Sequence, residues 1–130
     1  IDPSGRTTWK PSKLTLLMSK RSEKTLLADI LDAITQVEVY TAGFDDDAFS
    51  RDRKTQDAVV RNLEIIGEAS SRLPDDFRNA HGDIPWALMR GLRNRIVHAY
   101  FGVDLQLIWE VVVDDLPPLK ERIEKLIAHK

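Results

Sequence analysis

Apolar residues recur along this chain at spacings of three and four, and prolines and glycines cut the pattern into segments. Leu27, Ile30, Leu31, Ile34 and Val37 form one such stripe, with Tyr40 completing it. That period gathers side chains onto one face of a helix and would scatter them over both faces of a strand. The expected fold is therefore all-α: a compact antiparallel bundle of four to five main helices.

The punctuation sets the expected boundaries. Ser22 is placed to cap the first helix and Gly43 to end it. Asp45–Arg53 reads as a polar connection with a helical turn at Ala48 and Phe49. A second helix is expected from about Thr55 to Leu73, with Val59, Leu63, Ile66 and Ser70 on one face and Pro74 closing it. Residues 75–84 form a connector with a short helical piece. Pro85 suits a first helical turn, so Trp86–Tyr100 reads as the third helix, interrupted by Gly102. Asp104 is a candidate cap for a fourth, carrying Leu105, Ile108, Trp109, Val112 and Leu116. Pro117 and Pro118 must bend or restart it before the last stripe of Leu119, Ile123, Leu126 and Ile127. Val111–Val113 has strand propensity, which its helical flanks outvote.

The 130 residues suffice for one domain with one core. Residues 1–17 hold Pro3, Gly5 and Pro11, show no sustained period, and precede Met18. They read as an extra N-terminal segment, with 18–130 as a single helical domain. There is no cysteine, which excludes a thiol nucleophile and a Cys-bound zinc and is compatible with a cytoplasmic protein. No apolar run approaches the roughly 18 residues of a membrane span. A net charge of −2 argues against a generic nucleic-acid coat. Locally the balance reverses: from Arg78 to His98 there are four arginines, at 78, 90, 93 and 95, against the single acid Asp83.

That basic stretch contains the densest chemistry in the chain, Arg93-Asn94-Arg95-Ile96-Val97-His98-Ala99-Tyr100. Arginine offers a fixed charge and a fork of donors suited to phosphate. Histidine exchanges a proton near neutral pH without tuning. Asn94 and His98 are four residues apart and share a helix face, with Arg90 and Arg93 on an adjoining stripe. The combination suits a phosphodiester. Its plain alternative is ordinary structure: Arg93 paired to Glu68 or Asp104, His98 hydrogen-bonded in the core, Tyr100 packed. His81, in a polar connector, and His129, near the C-terminus, read as structural. Asp45-Asp46-Asp47 reads as a solvated loop and not a metal site, because adjacent carboxylates do not converge.

An ordered set of motifs narrows the choice. Asn62-Leu63-Glu64-Ile65-Ile66-Gly67-Glu68-Ala69, Ile84-Pro85-Trp86, Leu92 through Asp104, Trp109-Glu110 and Leu116-Pro117 resemble, in order and spacing, the HepT-like branch of the HEPN superfamily. The resemblance implies a homodimeric ribonuclease that needs neither metal nor cofactor, the toxin of a type VII-like toxin–antitoxin pair. It implies a partner, a minimal nucleotidyltransferase antitoxin, and an RNA substrate. The family's R-x-x-x-x-H-x-Y motif falls on Arg93, His98 and Tyr100, and Asn94 matches the asparagine that usually follows the arginine. Ala99 departs from the polar residue often found there. The expected catalytic residues are Arg93, Asn94 and His98. Arg90, Arg93 and Arg95 are expected to bind substrate phosphate, and Tyr100 to receive adenylyl groups from the partner. The alternative is a non-catalytic nucleotide- or RNA-binding helical module that engages the same kind of partner.

Overall fold

A computed structural model describes residues 22–102 and 104–128, with the side chains at 93 and 97–102 outside the description. Seven α-helical segments follow one another among these residues, and no strand occurs. The first, α1, spans Glu23–Thr41, and Ser22 caps it by accepting from the Thr25 N–H at 3.1 Å. Leu26, Leu27, Ile30, Ala33, Ile34 and Val37 are buried. Tyr40 is not: it is 42% exposed, because the stripe drifts out of the core in the last turn. The helix stops at Gly43, whose φ of 79° is a left-handed conformation that costs glycine nothing.

The polar connection is more ordered than its composition suggests. Asp45 accepts from the Ala48 N–H at 2.8 Å and opens a short helix, α2, over Asp46–Arg51. Its Phe49 is a core residue, with its ring 5.2 Å from that of Trp109. Asp52 then caps α3, Arg53–Arg72, which therefore starts two residues before the expected Thr55. The backbone turns between α2 and α3 without losing its hydrogen bonds, because the buried Gln56 amide donates to the Phe49 carbonyl at 2.8 Å.

Helix α3 is the centre of the bundle. It packs against α1 and against α5, which spans Trp86–Gly102. Val59, Leu63, Ile66 and Ser70 are buried as the period predicts, and the Ser70 hydroxyl is satisfied by the Ile66 carbonyl at 2.6 Å. Between α3 and α5 lies α4, Asp75–Ala80, anchored by buried Phe77.

Asp104 accepts from the Leu107 N–H at 3.0 Å and caps α6, Leu105–Glu110. The run does not break at the double proline. Pro117 and Pro118 have no N–H, and their rings crowd the carbonyls four residues back. The helix widens to a π turn at Val111–Asp115, where the Leu116 N–H reaches the Val111 carbonyl five residues back. It then continues as α7, Leu116–Ala128, with both prolines in its first turn, where missing donors cost least. Lys120 of α7 meets Glu38 of α1 at 3.0 Å, tying the start of one helix to the end of the other.

Arg78 departs from its expected place in a basic patch. Its side chain is 11% exposed, and the guanidinium wraps the end of α3, donating to the carbonyls of Ser70 at 3.0 Å and of Leu73, and to the Asp75 carboxylate. It acts as a cap for orphan carbonyls. Arg78→Ala is expected to cost about 1–3 kcal/mol, because partly buried acceptors lose their donor. Arg78→Lys should recover only part of that, since a point charge cannot fork to several carbonyls. Thermal or urea unfolding of the two variants measures both; equal stability of Arg78→Lys and the parent would show that charge alone suffices.

Candidate functional site on helix α5

The anchoring of α5 explains what it presents. Trp86, Met89, Leu92 and Ile96 are buried, at spacings of three, three and four, so one side of the helix is committed to the core. The Trp86 indole donates to the His81 carbonyl at 2.9 Å and fixes the entry of the helix. Arg90, Asn94 and Arg95 are exposed. Gly91 lies among them, and a Cβ there would meet nothing within 4 Å. Among the described residues, the outer side of α5 thus presents Arg90, Asn94 and Arg95 to solvent.

The predicted residues divide into two groups. Arg90 and Asn94 are one turn apart on the same exposed stripe, while Arg95 stands about 100° further round. Arg93, His98 and Tyr100 lie in the helical backbone of α5, position 98 one turn beyond Asn94; their side chains fall outside the described residues. Asp104, one acid suggested as a partner for Arg93, caps α6. Glu68, the other, carries a bond from Arg72 at 3.1 Å.

The arginines are used unequally. Arg51 pairs with Asp47, Arg53 with Asp57, Arg72 with Glu68, and Arg78 caps α3. Arg90 and Arg95, like Arg61, make no ion pair among the described residues. Their charge remains available to an anion from outside the chain.

Among the described residues, concavities lie elsewhere. A groove of about 380 Å³ between α1 and α3 is lined by Leu26, Asp29, Arg61, Ile65 and Glu68, among others. One of about 330 Å³ lies between α1 and α7, and one of about 320 Å³ beside His81. No described residue of α5 lines any of them. Among the described residues no group of three or more His, Asp or Glu side chains could hold a metal ion, and no helix is long and apolar enough to cross a membrane.

Comparison with known proteins agrees with the motif order. The family described as Ribonuclease HepT-like matches residues 30–126. A Thermococcus cleftensis protein named "Probable ribonuclease HepT" is 49% identical over 107 residues, covering 82% of this chain and 97% of that one. "Putative RNase MJ1380" of Methanocaldococcus jannaschii is 43% identical over 107 residues, covering 82% and 98%. From the same organism, "Gamma-glutamylcyclotransferase and putative RNase MJ0434" is 44% identical over 110 residues, which cover 85% of this chain and 50% of that larger protein. No solved structure matches. The chain belongs to the ribonuclease HepT-like family.

Proposed function

We propose that this member of the family is an endoribonuclease toxin acting in the cytoplasm. It cleaves RNA without a metal and is silenced by a nucleotidyltransferase partner. The observation that carries this reading is the Arg93…His98-x-Tyr100 pattern on the one helix whose outer side displays Arg90, Asn94 and Arg95. Family membership supports it.

RNA brings its own nucleophile, the 2′-hydroxyl, so the protein needs no nucleophilic side chain. A base takes the 2′ proton as that oxygen attacks phosphorus. The bond to the 5′-oxygen breaks, an acid protonates that oxygen, and a cyclic phosphate and a 5′-hydroxyl remain. His98 supplies proton transfer, Arg93 holds the charge developing on phosphorus, and Asn94 orients His98 or donates to a phosphate oxygen. Arg90 and Arg95 attract neighbouring phosphates.

One chain carries one imidazole in the motif, whereas the two proton transfers are simplest with two. A two-fold contact along α5 brings two copies of Arg93 and His98 together in one cleft. Light scattering is expected to show a dimer at tens of micromolar. A monomer that retains activity would refute the shared cleft.

Arg93→Ala and His98→Ala are each expected to abolish cleavage of labelled RNA while leaving the helical circular dichroism unchanged. Loss of one charge-stabilising donor costs about 10²–10³-fold and loss of one proton-transfer group about 10²–10⁴-fold. Cleavage should survive a chelator. Inhibition by chelator with recovery on adding metal would refute this mechanism.

Tyr100 is the control point. Its phenol oxygen attacks the α-phosphate of ATP on the partner, pyrophosphate leaves, and the phenol proton is lost. The adenylyl group then places a negative charge and an adenosine beside the arginines that RNA needs. Tyr100→Phe keeps the ring and removes the acceptor oxygen, so it should remain active with partner and ATP present, whereas the parent is silenced. Intact-mass spectrometry decides: an unchanged parent mass, or an adduct mapped to another residue, refutes this control.

A further inference from the structure

The connector between α4 and α5 and the C-terminal half of α7 form a cationic cleft that the chemistry above does not use. It holds about 320 Å³ and is lined by His81, Asp83, Ile84, Arg122, Lys125 and Leu126. That volume lies at the small end of ligand sites, roughly 300–1,000 Å³, and suits one nucleotide. The lining pairs two fixed cations and an imidazole with one carboxylate, and adds two apolar side chains.

The cleft is held in shape before any ligand arrives. Arg122 spends one N–H on the Asp83 carbonyl at 3.0 Å, which ties α7 to the connector across 39 residues. An arginine has five N–H donors, so four remain. The His81 ring lies against Phe77 at 4.6 Å, and the His81 carbonyl accepts from the Trp86 indole at 2.9 Å. The His81 N–H donates to the Arg78 carbonyl at 3.2 Å. Lys125 is the adaptable member. Its pairing with Glu121, at 3.3 Å with both side chains 69% exposed, is of the kind worth about 0–1 kcal/mol and is readily exchanged for a phosphate.

The cleft sits where α5 begins. From Trp86 to Asn94 is eight residues, about 12 Å along the helix. A single strand of a few nucleotides covers that span. We propose that this cleft binds one phosphate of single-stranded RNA, with its sugar and base against the half-buried Leu126, a few nucleotides from the bond that is cut. The inference rests on the ribonuclease reading for its choice of RNA.

The test is fluorescence anisotropy of the full chain with a labelled single-stranded 12-nucleotide RNA that is 2′-O-methylated throughout. Such an oligomer lacks the attacking hydroxyl and cannot be cut. Arg122→Gln/Lys125→Gln should bind about ten-fold more weakly, the scale of one lost charge-assisted contact. Its dependence of log affinity on log salt should flatten by about 0.7, the release from one single-stranded phosphate. Lys125→Glu, which leaves the Arg122 tie intact, should weaken binding as well. Lys54→Gln, an exposed cation at the far end of α3, should bind like the parent. Unchanged affinity in both cleft variants overturns the proposal, and so does an equal loss in Lys54→Gln, which would reveal diffuse attraction. The two readings fail separately. Cleft-dependent binding without cleavage of unmodified RNA removes the ribonuclease and keeps the site, and cleavage with cleft-independent binding does the reverse.

Discussion

Burial of the α3 stripe is the interaction on which the rest of this structure depends. Val59, Leu63 and Ile66 are almost wholly inaccessible, each contributing on the order of 1.5–3 kcal/mol by leaving water. Because α3 packs against both α1 and α5, its stripe sets where each of them lies. The position of α5 then follows from four anchors, Trp86, Met89, Leu92 and Ile96. Everything exposed on α5 is exposed because those four are not. A surface of arginines and an asparagine is thus positioned by hydrocarbon packing on the opposite side of the same helix.

Much of this could be read in advance, for a stated physical reason. Helical periodicity is a local signal, so the stripes of α1, α3, α6 and α7 were legible, as were the caps Ser22 and Asp104. What escaped notice depended on competition between local and distant effects. Phe49 sits among aspartates, and contacts distant in sequence, such as the Trp109 ring, make it a core residue. The double proline reads as a bend or restart, and the helix does restart there; the widened, five-residue turn that accomplishes it had no signal in the sequence. Arg78 reads as one of a run of cations, yet the nearest orphan carbonyls at the end of α3 claim it.

The candidate site was legible in a different way. Its residues are consecutive on one helix, so their order, and the order of the motifs around them, carries the family assignment without tertiary information. The exposure of Arg90, Asn94 and Arg95 fits the anchoring period. The cleft beside His81 had no such local signal. Arg122 and Lys125 follow His81 by 41 and 44 residues, and nothing in either segment names the other. In sequence, His81 looked like a connector residue, and the bond from Arg122 to the Asp83 carbonyl is what makes that connector part of a wall.

The distribution of charge links these observations. With a net charge of −2, the chain has no long-range attraction for a polyanion as a whole. Any affinity for RNA must come from where cations are left uncompensated, within about a Debye length, roughly 8 Å at physiological ionic strength. Several acids that could neutralise such patches are already engaged: Asp45, Asp52 and Asp104 cap helices, Asp47, Asp57 and Glu121 pair within their own helices, and Glu38 holds Lys120. Arg51, Arg53, Arg72 and Arg78 are consumed likewise. Arg90 and Arg95 on α5 make no ion pair among the described residues, and Lys125 beside the His81 cleft holds only an exposed, exchangeable one. Under the ribonuclease reading proposed above, such an arrangement favours local engagement of a few phosphates over the coating of a long polyanion.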